Sequence, residues 1–312
     1  MQGEETQIKG EIHVFDIIKI NPDPTKPDVT HKLKHRAKTS FKGVASSLTS
    51  VVGHLISTNG FKVMVYKFDG DTLNAIAFYD LQHMVSCVAA IKNYVLASDV
   101  YRSATFLAFQ EDPYRFFLLG RDYKNLEIEQ CDFLIDGNSL GLVELDKYGN
   151  LYISSFSPFD IQSQSGSKLL RVADYHLGAQ VSKVLRIRKM SEESSHAMNR
   201  QFYNLMSFYD GGLSVVSPIG ERTFKRMLFI TARMYQTVPH NCGLNPRTYR
   251  LSTNTMARLD ENPHKNVIDG DFAKEFLYLD KPKQKALSES IGITKDRYLT
   301  DISKIENELK RF

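Results

Sequence analysis

A unit that recurs along most of the chain constrains its fold more than any other feature: a short apolar strand, a turn rich in Asn, Asp or Gly, and a second strand ending near an aromatic. Residues 51–55 lead through Asn59-Gly60 to residues 63–68, and residues 86–96 lead through Asp99 to residues 104–109. Residues 140–145 lead through Tyr148-Gly149-Asn150 to residues 151–156, and residues 206–208 lead through Asp210-Gly211-Gly212 to residues 213–216. The turns advance by about 40, 50 and 62 residues, the last interval carrying a polar insert at 191–200. Propeller blades repeat every 40–45 residues or so and tolerate loop insertions. Asn-Gly and Asp-Gly suit their hairpins because a two-residue turn needs positive φ. Unrelated hairpins in a β-sandwich are the competing architecture.

Past Pro218 the period becomes helical. Phe224, Met227, Leu228, Thr231, Tyr235 and Val238 fall on one face, Arg222, Lys225, Arg226, Arg233 and Gln236 on the other, and Pro239 stops the helix. A second helix begins after Asp271, with Phe272, Phe276 and Leu277 on one side. In a third, Tyr298, Ile302, Ile305, Leu309 and Phe312 share a stripe, Thr294 is placed as its N-cap, and Ile293 faces Tyr298 as a hydrophobic staple. The fold class is therefore mainly β followed by α: a partial β-propeller of about four or five blades over residues 1–217, then a C-terminal helical domain over 218–312. A seven-bladed ring needs roughly a hundred residues more than this β region supplies, so the chain reads as the C-terminal piece of a larger protein.

At 312 residues with 40 Lys+Arg against 36 Asp+Glu, the net charge is only +4, and any nucleic-acid contact must come from a local patch. Cys87, Cys131 and Cys242 are too far apart for a zinc site or a disulfide framework, which points to a reducing compartment. No window approaches eighteen apolar residues, so no membrane association is expected. Dinucleotide and P-loop fingerprints are missing; Ser165-Gly166-Ser167-Lys168 is the nearest imitation and lacks the first glycine. Neither Cys-x-x-Cys, His-Glu-x-x-His nor a G-x-S-x-G elbow occurs. No catalytic, metal or cofactor residue is nominated, and no cofactor or small-molecule substrate is expected; a hydrolase with a dispersed site stays as a competitor.

One charge feature stands out. Residues 26–42 hold six Lys/Arg and one acid, Asp28. If this stretch is a strand, Lys32, Lys34, Arg36 and Lys38 project from one face as a positive comb. Such a comb suits a phosphate backbone or an acidic partner, and equally suits an edge strand guarded by lysines against sheet-to-sheet pairing. A lesser run, Lys183, Arg186, Arg188 and Lys189, reads as the solvated base of the loop that follows.

Three further segments carry a resemblance. Ala173-Asp174-Tyr175-His176-Leu177-Gly178, Asp146-Lys147-Tyr148-Gly149-Asn150-Leu151 and Val267-Ile268-Asp269-Gly270-Asp271 resemble the C-terminal signature of the triple-propeller scaffold family. That family includes the large subunits of the cleavage and polyadenylation factor and of the damage-specific DNA-binding complex, and a splicing factor 3b subunit. Leu244-Asn245-Pro246-Arg247-Thr248-Tyr249-Arg250, preceded by Val238-Pro239-His240, is similar to the polyadenylation branch, as are Phe276-Leu277-Tyr278-Leu279 and Ile291-Gly292-Ile293-Thr294. The resemblance covers nearly the whole chain.

It implies a nuclear, non-catalytic scaffold in pre-mRNA 3′-end processing. Its partners would be a WD-repeat subunit and a zinc-finger subunit, with weak pre-mRNA contact for which the 32–38 comb is the nominee. A ubiquitin-ligase adaptor of the damage-binding kind and a direct RNA-binding module are the alternatives. Within the motifs, Gly149, Gly178 and Gly243 are expected to serve turns. Asp271 is expected to cap the helix starting at Phe272, with Asp269 near the same positive end. Relatives often complete a capping box three residues later, where this chain has Lys274. Arg247 or Arg250 is expected to pair with Asp269 or Asp271 and fasten the helical domain, a partner interface being the competing role.

Overall fold

The computed structural model describes residues 8–21, 28–188, 202–252 and 266–309. The insert expected at 191–200, Lys26, Lys189 and Phe312 lie outside the described residues. The chain divides into two compact units, residues 1–132 with 157–169 and residues 133–156 with 170–312. The last strand ends at Val216 and the first helix begins at Glu221.

In the first unit a long antiparallel hairpin, β1 (Lys9–Lys19) and β2 (His31–Lys42), precedes two four-stranded sheets. One runs in chain order through β3 (Leu48–Val51), β4 (His54–Asn59), β5 (Lys62–Asp69) and β6 (Thr72–Asp80). The next is β7 (Val85–Ile91), β8 (Tyr94–Asp99), β9 (Ser103–Glu111) and β10 (Tyr114–Arg121). Each is a meander whose alternate residues face inward, the pattern of a blade. Val51, Ile56, Val63, Val65, Val85, Val95 and Leu107 form one buried cluster between them. On the other side of β5, Tyr66 and Leu73 bury Ile12 of the hairpin. The run expected at 86–96 is two strands rather than one. They turn at Lys92, which adopts φ +51° without a glycine to announce it.

The segment 157–169 returns to this unit, pairing Lys168 with Arg121 at the edge of β10. Three amides of this stretch are engaged internally: Gly166, Ser167 and Lys168 donate to the Ser163, Gln164 and Ser163 carbonyls. The imitation P-loop is thus a structural turn.

The second unit holds the rest of the third sheet, β11 (Ile128–Asp136), β12 (Ser139–Asp146), β13 (Asn150–Ser155) and β14 (Leu170–His176), β11 carrying the chain across the division. A three-stranded sheet follows, β15 (Val181–Arg188), β16 (Phe202–Phe208) and β17 (Leu213–Val216). The basic run at 183–188 lies on β15 rather than at a loop base, and the Arg186 guanidinium sits 5.9 Å from the centre of the Phe133 ring. Four blade-like sheets and a helical end match the expected partial propeller.

Helices α1 (Glu221–Thr237), α2 (Pro246–Tyr249), α3 (Gly270–Lys274), α4 (Lys281–Glu289) and α5 (Lys295–Leu309) close the unit. Their core is Met227, Ile230, Met234, Phe272, Phe276, Leu287, Tyr298 and Ile302, with Ile293 packed against it as the staple requires. Complete burial of such side chains stabilises by about 1.5–3 kcal/mol each. Tyr235 stacks on Phe272 at 4.4 Å, and Phe276 meets Tyr298 edge-on at 4.7 Å. The buried stripe of α1 is rotated from the expected one toward Ile230 and Met234, leaving Leu228 exposed. Arg226, expected on the solvent face, instead donates from Nε and Nη2 to Asp301 of α5 at 2.7 and 2.9 Å.

Candidate functional site

Four of the segments that carry the resemblance, 146–151, 173–178, 244–250 and 267–271, lie more than a hundred residues apart in sequence at their extremes and meet at one place in the second unit. Asp146, at the end of β12, is buried and engaged by four donors. Its Oδ1 accepts from the Tyr148 and Asn150 amides at 2.9 and 2.8 Å, and its Oδ2 from Asn150 Nδ2 at 2.7 Å and Tyr152 OH at 3.1 Å. The local reason is the turn: Gly149 adopts φ +76°, and a Cβ there would lie 2.7 Å from Ala179 O. With Asn150 Nδ2 committed to Asp146, Asn150 Oδ1 faces His176 Nδ1 at 2.8 Å, so the imidazole donates there. Burial pushes the Asp146 carboxyl up, outweighing its hydrogen bonds, and pushes the His176 imidazole down.

From His176 the network passes to the helical segment. The His176 amide donates to Arg250 O at 2.9 Å. Arg250 Nη1 donates to Leu177 O at 2.8 Å and His176 O at 3.3 Å, and Nε to Asp269 Oδ2 at 3.1 Å. The guanidinium also lies 5.2 Å from the ring centres of Tyr175 and Tyr249. Tyr152 OH and Ser252 Oγ are 2.9 Å apart, a second tie. Burial and the charge of Asp269 hold the Tyr175 phenol well above its ordinary range.

Arg250 therefore makes the expected pair, and Asp269 is its acid. The capping expectation needs correcting: Asp269, not Asp271, caps α3, its Oδ1 accepting from the Asp271 and Phe272 amides at 3.1 Å. The helix starts at Gly270, two residues earlier than expected, and Lys274 is therefore not the capping-box position. Asp271 is exposed, with Lys274 Nζ at 3.9 Å; Lys274 also reaches Glu306 at 3.6 Å. Arg247 stands in α2, its amide held by the N-cap Asn245 at 2.9 Å. The reading from residues missed Asp146, Asn150, Tyr152, His176 and Ser252 as members of this junction. Four of the five stood inside or beside the segments already singled out.

The basic comb is rearranged. A bulge between Val14 and Phe15 skips Arg36, so Val14 lies opposite Ala37 and Phe15 opposite His35. Alternation changes phase there. Lys32 and Lys34 face the side of Ile18 and Asp16, whereas Lys38 lies opposite His13 on the other side. The one-faced comb is therefore not formed. Arg36 contacts Asp16 at 3.1 Å and Asp71 at 3.3 Å, and Lys38 contacts Glu11 at 2.8 Å. Among the described residues Lys32 and Lys34 make no ion pair.

Among the described residues no group of three or more His, Cys, Asp or Glu is arranged to hold a metal ion, and no helix is long and apolar enough to cross a membrane. Cys87 and Cys131 are buried and Cys242 is exposed, all three as free thiols.

Blade-like meanders ending in helices, tied by a half-buried arginine to a carboxylate that caps the helical segment, define a propeller-type protein with a C-terminal helical end. The chain belongs to the family described as the CPSF A subunit region, which matches residues 1–278. It is 31% identical over 303 residues to Arabidopsis thaliana cleavage and polyadenylation specificity factor subunit 1, covering 97% of this chain and 20% of the relative. The Drosophila melanogaster protein of the same name is 29% identical over 308 residues, covering 97% and 21%. Schizosaccharomyces pombe protein cft1 is 29% identical over 313 residues, covering 99% and 22%. The chain thus spans about a fifth of the length of the curated relatives it matches.

Proposed function

We propose that this chain is part of a large non-catalytic scaffold subunit of the nuclear pre-mRNA cleavage and polyadenylation complex. It organises WD-repeat and zinc-finger subunits for recognition of the poly(A) signal and 3′-end processing. Residues 1–217 supply terminal blades of a propeller and residues 218–312 its helical domain. Arg250 and Asp269 fasten the two kinds of structure together, while Arg247 and Asp271 belong to a partner-facing surface. Weak pre-mRNA contact falls to Lys32 and Lys34, which make no ion pair among the described residues; Arg36 and Lys38 already have acidic partners.

The observation that carries this reading is the family match across residues 1–278, with relatives named as that factor's subunit 1 aligned along the chain's length. Affinity purification of the tagged full-length protein from nuclear extract tests it. Recovery of processing-factor subunits in stoichiometric amounts is expected. Recovery of cullin-type ligase components without them replaces the proposal with the adaptor alternative.

A further inference from the structure

A groove opens in the second unit between the last turn of α1 and the face of α4, with a volume of about 340 Å³. Val238, Leu279 and Leu287 form its floor and Ala286 one wall. That floor is continuous with the helical core: Leu287 is a buried member of it, and Val238 and Leu279 pack against it. The floor is therefore held in place by the same side chains that hold the helices.

The charged side chains that line the groove are basic: Arg233 of α1 and Lys283 of α4, with no Asp or Glu among the described lining residues. Lys283 has Asp280 at 3.7 Å, a pair in which both side chains are mostly exposed, the kind that exchanges partners at little cost. Asp280 and the C-terminal carbonyls of α1, with roughly half a charge, oppose an incoming acid, against the two cations Arg233 and Lys283. The balance is positive.

We infer that this groove docks a short acidic segment of a partner protein, with one aliphatic or aromatic side chain seated on the Val238–Leu279–Leu287 floor and carboxylates flanking it opposite Arg233 and Lys283. An apolar floor inside a polar, charged rim is the anatomy of a peptide-anchoring site. RNA is the poorer fit, since the lining has no aromatic ring to stack a base on and a phosphate would leave the floor uncovered. The inference extends the scaffold proposal without depending on it, because it rests on the groove's shape and charge alone.

The test uses the full-length protein and three fluorescein-labelled synthetic peptides read by anisotropy. The first has a central leucine flanked by aspartates, the second the same leucine flanked by lysines, and the third aspartates around a serine. The aspartate–leucine peptide is expected to bind saturably, the other two at least about tenfold more weakly. Arg233→Glu with Lys283→Glu is expected to weaken the first peptide about tenfold or more and to favour the lysine-flanked one. Ala286→Glu, at an exposed helical position, is a second variant that blocks the groove without touching the rim, so a fold defect in one variant leaves the other to decide. No saturable binding of the first peptide, equal binding of all three, or insensitivity to both variants overturns the inference. None of these results alters whether processing-factor subunits co-purify, so the two ideas fail separately.

Discussion

Two arginines in this protein make the same contact in different surroundings. Arg250 and Asp269 meet at 3.1 Å with side chains 22% and 6% exposed; Arg36 and Asp16 meet at 3.1 Å with side chains 38% and 42% exposed. In the first case both partners have other duties inside the fold: Arg250 satisfies two carbonyls, and Asp269 caps α3. In the second, water can replace either partner. A distance says that two charges meet, and burial decides whether the meeting matters to stability.

The largest expected effect follows directly. Arg250→Ala leaves Asp269 buried without its counter-charge and two carbonyls without a donor, and should cost about 3–5 kcal/mol. With no tryptophan in the sequence, denaturant unfolding followed by circular dichroism is the suitable measurement. Arg250→Lys should recover only part of the loss, because an ammonium cannot hold the fork of acceptors that the guanidinium does. Asp269→Asn separates the roles, keeping the cap acceptor while removing the charge. If Arg250→Ala unfolds like the wild type, the contrast with Arg36 collapses.

The same reasoning run backwards gives a stabilising change. The Tyr298 hydroxyl is buried and has no hydrogen-bond partner among the described residues, while its ring is fully packed against Phe276. Burial, with the charge of Asp301 beside it, pushes the phenol well above its ordinary range, as expected for a group that stays neutral. Tyr298→Phe keeps the packing and removes the unmet donor, and should gain about 1–3 kcal/mol. Loss of stability in that variant would mean the hydroxyl has a partner in solution.

A smaller effect lies in how stability depends on pH. His176 is held below its ordinary value by burial, so below about pH 6.5 the unfolded chain takes up its proton before the folded one does. Stability from this group is present above that pH and is lost as pH falls through the folded value. Asp146 is raised, and the sign reverses: the folded state holds its proton longer, so its contribution grows as pH falls through the raised value. The expected outcome is that His176→Gln flattens the loss of stability between pH 7 and pH 5.5, in unfolding measured at both. An unchanged slope would show that the His176 proton is not linked to folding.

Much of the fold was legible where local chemistry leaves a mark. Turns such as Asn59-Gly60 and Tyr148-Gly149-Asn150 announce positive φ, and the stripe containing Tyr298 and Ile302 announces α5. Helix α4 left no such mark because its inward face is largely polar: Gln284 and Ser288 are buried, Gln284 Nε2 donating to Phe276 O at 2.8 Å. The bulge at Arg36 is equally silent, since one skipped residue changes which face every later side chain takes without changing the composition. At the candidate junction, a pair between one of Arg247 and Arg250 and one of Asp269 and Asp271 was readable from charge and segment order, but not which arginine or which acid. Which of two aspartates two residues apart would cap α3 was not, because Asp269 and Asp271 offer the same cap chemistry on either side of a glycine.

The smallest changes in stability belong to the hairpin, and there the reading moves to binding. Arg36→Ala should leave the unfolding midpoint within replicate scatter, since its carboxylate partners are exposed and screened. The same holds for Lys32→Ala with Lys34→Ala. The two kinds of substitution should part in the salt dependence of single-stranded RNA affinity for the full-length protein. Each phosphate neutralised contributes roughly 0.7 to the log–log slope, so removing Lys32 and Lys34 together should flatten it by about 1.4. Arg36→Ala with Lys38→Ala should change it far less, because those cations already face Asp16, Asp71 and Glu11. Equal flattening by both pairs would mean the acids give way to RNA and the hairpin acts as one basic surface after all. No flattening by either would assign the lysines to guarding the strand edge.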